Sequence, residues 1–251
     1  MPLKARLEAG ATVHGVFCAI ASPVTVELAA SAGYDFVIID LEHALVSPDT
    51  LAAMLLAARA GRIAALVRVA HRSQVFPALD MGAQGIVFPR VSTVAQARAA
   101  VRACRHWPLG QRGTSATHHS GYGRDDLAAA QQCADALTLV VVMIEDAAAA
   151  ERSARIAAVE GVDVLLEGAA DLAQSLGLPW QTRHPRVREA IERIECGAMA
   201  SGKYFCALPR APEDRRRWAE RGVRMFILGE DRGLLRAALA ARLDGNGQHA
   251  P

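Results

Sequence analysis

Aromatic side chains are scarce, with three Trp, three Tyr and six Phe in 251 residues, which excludes a core built on large rings. The 52% hydrophobic share must instead close-pack through Leu, Val, Ile and Ala, and it excludes disorder for most of the chain. Cysteine is sparse too. Cys18, Cys104, Cys133, Cys196 and Cys206 are odd in number and show no CxxC spacing, which argues against a disulfide framework and a thiolate zinc site. No apolar run approaches the roughly 18 residues that span a bilayer, and the opening MPLKARLEAGATVHG has no apolar segment of a secretory signal. A cytoplasmic protein without a membrane partner is expected. Excess charge of one sign is also missing, since 28 Lys+Arg face 26 Asp+Glu for a net +2. The basic residues are scattered apart from Arg215, Arg216 and Arg217, so nucleic acid is not an expected partner.

What the chain does have is alternation. Short runs rich in Val, Ile, Leu and Phe recur between longer Ala/Leu/Arg stretches of helical period, the signature of parallel βα units. Eight strands are expected, at 14–20, 35–40, 64–69, 85–89, 137–144, 162–166, 204–208 and 224–228. Continuous apolar runs such as FVIID, LVVVMI and VDVLL suit strands covered on both faces. Helices are expected at 94–105, 146–159, 185–200, 212–221 and 231–242. Two more begin at Ser22-Pro23 and Ser47-Pro48, where the serine caps and the proline fits the first helical position; Gly33 and Gly61 close them. The stretch 107–124, rich in Gly, Ser, Thr and His, is expected as a long loop. The architecture that satisfies this pattern is an α/β chain folded as one (β/α)₈ TIM barrel over 1–251, with a frayed tail from about residue 244.

In such a barrel the C-terminal strand ends share one mouth, so polar residues just after the apolar runs are the ones that meet. They are Asp40, Glu42 and His43 after the second run, Arg68 in the third, Arg90 after the fourth, Glu145 and Asp146 after the fifth, Glu167 and Asp171 after the sixth, and Glu230 and Asp231 after the eighth. Glu145 and Asp171 come from neighbouring strand ends, and two carboxylates in one mouth repel unless a cation or proton lies between them. Oxygen-only ligation suits Mg²⁺, Mn²⁺ or Co²⁺. The same acids also suit helix N-caps, His43 also suits an ordinary loop histidine, and Arg68 also suits a simple ion pair. Asp80 has the position of a turn or cap residue, and Glu167 suits either an extra site acid or a salt-bridged wall residue.

The blocks DFVIIDLEHA, LVRV, ALDMGAQGIVFP, GQRG, VVMIED, GVDVLLEGAADLAQSLG, HPRVREAI and GK, in this order, resemble the HpcH/HpaI aldolase family from about Gly15 to Asp231. The resemblance implies a (β/α)₈ barrel, a homo-oligomer (most simply a hexamer) assembled through its C-terminal helix, and a divalent-metal-dependent lyase. It implies reversible cleavage of a 4-hydroxy-2-oxo acid, through a metal-stabilised enolate, to pyruvate or a related 2-oxo acid and an aldehyde. Carried over by position, His43 is the base and Arg68 the arginine beside the keto oxygen. Glu145 and Asp171 are the metal ligands, Asp40 and Asp80 assist the histidine, and Ser115, Gly168 and Ala170 contact substrate.

Four departures from the family pattern stand out: Met143 in place of Gln, Glu167-Gly168-Ala169 in place of a hydrophobic residue followed by Gly-Pro, a shorter Arg68-to-Asp80 interval, and an unusual loop TSATHHSGYGR. They leave room for two other readings. One is the branch that condenses oxaloacetate with acetyl-CoA to citrate in siderophore biosynthesis, using the same histidine and arginine without needing the metal. The other is a barrel that binds a 2-oxo acid without turning it over.

Overall fold

The computed structural model describes residues 1–246. A first helix, α1 (Leu3–Glu8), precedes β1 (Val13–Cys18), α2 (Pro23–Ser31), β2 (Phe36–Asp40), α3 (Pro48–Ala60) and β3 (Ala64–Arg68). Next come α4 (Val75–Asp80), β4 (Gly85–Phe88), α5 (Val94–Cys104), α6 (Leu127–Leu137) and β5 (Leu139–Ile144). The chain continues through α7 (Ala147–Glu151), α8 (Ser153–Ala157), β6 (Val164–Glu167), α9 (Ala169–Ser175), α10 (Pro185–Ala200), β7 (Tyr204–Ala207), α11 (Pro212–Glu220), β8 (Met225–Glu230) and α12 (Asp231–Asn246). All eight strands are parallel and close in chain order into a barrel, as the alternation of runs implied. Each expected strand lies within two residues of its observed bounds.

Two apolar layers hold the barrel. Residues of one strand parity, such as Phe36, Ile38, Leu66, Val141 and Leu166, fill the interior, and α1 plugs its floor with Leu3 and Leu7, one helical turn apart. The opposite parity, such as Val37, Ile39, Val67, Val142 and Leu165, packs against the helices. Although aromatic rings are few, one interior ring needs space made for it. Phe36 pairs in register with Gly15, where a Cβ would stand 2.3 Å from its ring, so glycine on β1 lets the phenyl cross the barrel floor.

The helix starts follow the expected chemistry. Ser47 Oγ accepts from Thr50 N–H at 3.1 Å and Ser22 Oγ from Val24 N–H at 3.3 Å, with Pro48 and Pro23 in the first turns. Other expectations need correction. Gly61 ends α3 in a right-handed conformation, and the left-handed residue is Arg62, at φ 54°. The helix expected at 146–159 is two short ones broken at Arg152, where α10 crosses closely: a Cβ on Gly197 would stand 2.6 Å from Ser153 Oγ. Helix α12 runs through Gly245 to Asn246, beyond the point where fraying was expected, and the remainder of that tail, 247–251, lies outside the described residues. Helices α1, α4, α6 and α9 were not anticipated. Among the described residues no helix is long and apolar enough to cross a membrane.

Candidate active site

Strand parity explains why the mouth is polar. On β2 the interior positions Phe36 and Ile38 are followed, two residues on, by Asp40; on β3 Ala64 and Leu66 are followed by Arg68; on β5 Val141 and Met143 are followed by Glu145. The layer that ends the apolar interior is therefore built of charged side chains. Asp40 and Arg68 are direct register partners. Arg68 Nε donates to Asp40 Oδ1 at 2.8 Å and Nη2 to Oδ2 at 2.7 Å, a bidentate pair, and the guanidinium lies 4.7 Å from the Phe17 ring centre. The remaining nitrogen, Nη1, meets only the weak acceptor Met143 Sδ, at 3.9 Å, and lies 3.6 Å from Glu42 Oε2.

Asp40 also shapes the chain that leaves β2, because Oδ1 accepts the backbone N–H groups of Glu42 at 3.0 Å and His43 at 3.3 Å. That turn sets His43 over the cavity with its side chain 56% exposed. Burial works against ionisation of Asp40, but the hydrogen bond and charge of Arg68, joined by those two N–H donors, hold its carboxyl below the usual range. Glu42 faces three basic groups: Arg90 Nη2 at 3.0 Å from Oε1, and Arg68 Nη1 and His43 Nε2 at 3.6 and 3.8 Å from Oε2. Oε2 is buried and has no hydrogen-bond partner.

Glu145 is 6% exposed. Its Oε2 accepts the backbone N–H of Arg90 at 2.6 Å, an N–H aimed by a left-handed backbone at φ 52°. Burial pushes the Glu145 carboxyl up to about 7; the Arg90 bond opposes this, whereas the charges of Glu42 and Asp171 add to it. Asp171, exposed in the first turn of α9, reaches the same cavity across Gly168. Only glycine fits at 168, because a Cβ there would stand 2.3 Å from Glu145 Cγ and 2.7 Å from Oε1.

A cavity of about 580 Å³ brings together Asp40, His43, Arg68, Glu145, Gly168, Ala170 and Asp171. Asp80 and Ser115, expected beside them, are not there. Asp80 ends α4 and leads into the start of β4, so it lies at the opposite end of the barrel. The long loop is there too, because it follows α5, which carries the chain back from the mouth. Asp80 pairs with Arg112 at 2.7 Å, and together with Ser115, His106 and His119 they line a separate cavity of about 440 Å³. Within one chain neither residue reaches His43. Asp231 is a tie rather than a site acid: its carboxylate accepts from Ala19 N–H at 3.0 Å and Ile20 N–H at 2.9 Å, joining α12 to the end of β1. Sequence reasoning missed Phe17, Trp180, Thr182, Arg210 and Arg232, all on the cavity wall. Arg210 follows the apolar run of β7 by three residues, so the strand-end rule applied to that run would have found it.

The chain matches the HpcH/HpaI aldolase/citrate lyase family over residues 14–238. It is a member of that family. It is 34% identical over 244 residues to the hydroxypyruvate/pyruvate aldolase of Delftia acidovorans, covering 96% of this chain and 91% of that one. It is 39% identical over 193 residues to a 4-hydroxy-4-methyl-2-oxoglutarate aldolase of Chaetomium globosum, covering 73% and 70%. Among solved structures, the citrate synthase SbnG superposes with a TM-score of 0.92 at 40% identity, covering 98% of each chain.

Two of the departures from the HpcH/HpaI pattern acquire a physical setting. Met143 places its sulfur 3.9 Å from Arg68 Nη1. Glu167 is fully buried and pairs with Arg210 at 2.8 Å, which makes it a salt-bridged wall residue rather than an additional acid facing substrate.

Proposed function

We propose that the protein catalyses reversible aldol cleavage of a 4-hydroxy-2-oxo acid to pyruvate, or a related 2-oxo acid, and an aldehyde. The observation that carries the reading is the Asp40–Arg68 pair, which leaves Nη1 of Arg68 with only the weak acceptor Met143 Sδ, on a cavity that also holds His43. Cleavage removes the proton of the C4 hydroxyl, turns that C–O bond into a carbonyl and breaks the C3–C4 bond, whose electron pair moves toward the C2 oxygen. Imidazole is the usual side chain for such a proton transfer near neutrality, and His43 is the exposed imidazole at the mouth. Arg68 Nη1 donates to the C2 oxygen as charge develops, with the other two nitrogens fixed by Asp40 so that little reorganisation is needed. The same proton carrier then returns a proton to C3.

The residues present fit a divalent cation. Glu145 and Asp171 are oxygen donors that line one cavity, and the Glu145 carboxyl is raised by burial and by the neighbouring acids, a strain that a cation would relieve. Among the described residues no group of three or more His, Cys, Asp or Glu side chains is arranged for a metal, so these two carboxylates, with substrate and water, are the donor set. Mg²⁺, Mn²⁺ or Co²⁺ held there would supply Lewis-acid polarisation of the 2-oxo acid.

The likeness to SbnG favours a second reading, condensation of oxaloacetate with acetyl-CoA to citrate. Purified protein with Mg²⁺, Mn²⁺ or Co²⁺ separates the two: exchange of pyruvate methyl protons with deuterated solvent and condensation with short aldehydes support cleavage. Citrate formation with neither of those supports the second reading.

The protein is further proposed to form a homo-oligomer through α12. Its Leu234, Leu235, Leu239 and Leu243 are 45 to 75% exposed, an apolar stripe that the barrel of its own chain leaves uncovered.

A further inference from the structure

Arg90 follows β4 with a left-handed backbone, φ 52°, and its N–H donates to Glu145 Oε2 at 2.6 Å. Glycine would supply that turn and that N–H without steric strain, so neither accounts for an arginine here. The side chain has a second partner. Although it is 71% exposed, Nη2 lies 3.0 Å from Oε1 of Glu42, a carboxylate that is only 8% exposed.

Glu42 stands between two arginines. Oε1 meets Arg90, whereas Oε2 has no hydrogen-bond partner and lies 3.6 Å from Arg68 Nη1 and 3.8 Å from His43 Nε2. At 3.6 Å the approach to Arg68 falls just short of a hydrogen bond. A buried carboxylate oxygen gains by closing such a gap, and a small rotation of the side chain would close it. Nε and Nη2 of Arg68 are already engaged by Asp40, so Nη1 would then carry a second carboxylate. As the molecule stands, Nη1 meets only the weak acceptor Met143 Sδ at 3.9 Å, which a keto oxygen displaces easily. A charge-assisted bond to Glu42 would compete with that oxygen far more strongly.

We propose that Arg90 is a positioning residue that draws Glu42 away from Arg68 and so keeps Nη1 available to the keto oxygen of a 2-oxo acid. This rests on the reading above, in which that oxygen meets Arg68. Arg90 is not among the residues that line the cavity, and its side chain acts on Arg68 through Glu42. A rim ion pair of this exposure adds little to stability, so its effect belongs to the site and not to the fold.

The test is a cycle on positions 42 and 90. Arg90→Gly keeps the turn and the N–H to Glu145 while removing the side chain, and Glu42→Gln removes the charge that Arg90 restrains. Calorimetry in the presence of Mn²⁺ measures the affinity for oxamate, a non-reacting analogue of pyruvate; kcat and KM for exchange of pyruvate methyl protons, and thermal melts, are read in parallel. Arg90→Gly is expected to weaken oxamate binding about tenfold, because a donor must first be freed from a charged hydrogen bond, and to lower kcat for exchange similarly. Its melting temperature is expected to stay near that of wild type. In the Glu42→Gln background the same substitution is expected to change neither quantity. Arg90→Lys, whose ammonium can make the single contact to Oε1, is expected to remain within about twofold of wild type. Equal losses from Arg90→Gly in both backgrounds overturn the proposal, as do wild-type affinity in Arg90→Gly and loss of oxamate binding in Glu42→Gln alone. A wild type that binds oxamate without exchanging methyl protons overturns the cleavage reading only, and the oxamate cycle still decides the role of Arg90. A wild type that binds no oxamate overturns both.

Discussion

Asp40 and Arg68 sit opposite each other in the β2–β3 register and share two hydrogen bonds of 2.8 and 2.7 Å, so the arginine that faces the cavity is oriented before any substrate arrives. Arg68→Ala is expected to lower kcat by about 10²–10³, the cost of removing one pre-aimed donor to a developing oxyanion. Arg68→Lys is expected to recover little, since an ammonium cannot hold Asp40 with two nitrogens and present a third. Steady-state kinetics and methyl-proton exchange check both; a lysine variant near wild-type rate contradicts the argument.

Glu145, raised to about 7, links cation binding to pH. Binding requires the carboxylate, so affinity for Mn²⁺ is expected to weaken about tenfold for each pH unit below 7 and to level off above it. Calorimetry at pH 5.5, 6.5 and 8 measures this. The cation-free protein shows the opposite side of the linkage. Because the folded value lies above the ordinary one, the folded state holds a proton that the unfolded chain has already lost between about 4.5 and 7. The associated stability is full below that window and is lost as pH rises through 7, on the order of 3 kcal/mol. Glu145→Gln is expected to flatten the profile, and a variant with unchanged pH dependence excludes Glu145 as its source.

At position 168 the prediction is steric. Alanine would press its Cβ to 2.3 Å from Glu145 Cγ, and the strand end must yield or the carboxylate must move. Gly168→Ala is expected to weaken Mn²⁺ binding at least tenfold while costing about 1–3 kcal/mol of stability, in line with overpacking elsewhere. Titration calorimetry with thermal melts reads the two effects separately; full cation affinity in the variant refutes the contact.

The exposed leucines of α12 lead to a fourth expectation. Wild-type protein is expected to scatter light as a species larger than a monomer, and Leu235→Glu with Leu239→Glu, at positions 50% and 60% exposed, to reduce that mass. A monomeric wild type at micromolar concentration rules the interface out.

How far the sequence carried these conclusions depends on where each residue lies along its strand. Asp40, Arg68 and Glu145 were legible because two-residue alternation continues from the apolar interior into the polar rim, so the end of each apolar run marks a mouth position. Asp80 and Ser115 came from the resemblance alone, which conveys residue identity but not side: within one chain Asp80 precedes its strand, and α5 lies between β4 and the loop that holds Ser115. Helix α6 escaped because LAAAQQCADAL buries only Ala134 and so shows no apolar face to recognise. The Glu167–Arg210 pair spans 43 residues of chain, and nothing local to either residue announces the other.

Parity also divides the mouth into positions that differ in how freely they can change. Asp40, Arg68 and Glu145 continue the interior parity, whereas Glu167 follows Leu165 on the outer one and engages a loop instead of the Asp40–Arg68 pair. A lineage, or a library, can therefore exchange 167 and 210 together and reshape that side of the mouth while the inner rim stays as it is. Exchanging Arg210 alone strands the buried Glu167 carboxylate, so change here is expected to proceed by paired substitutions at these two sites.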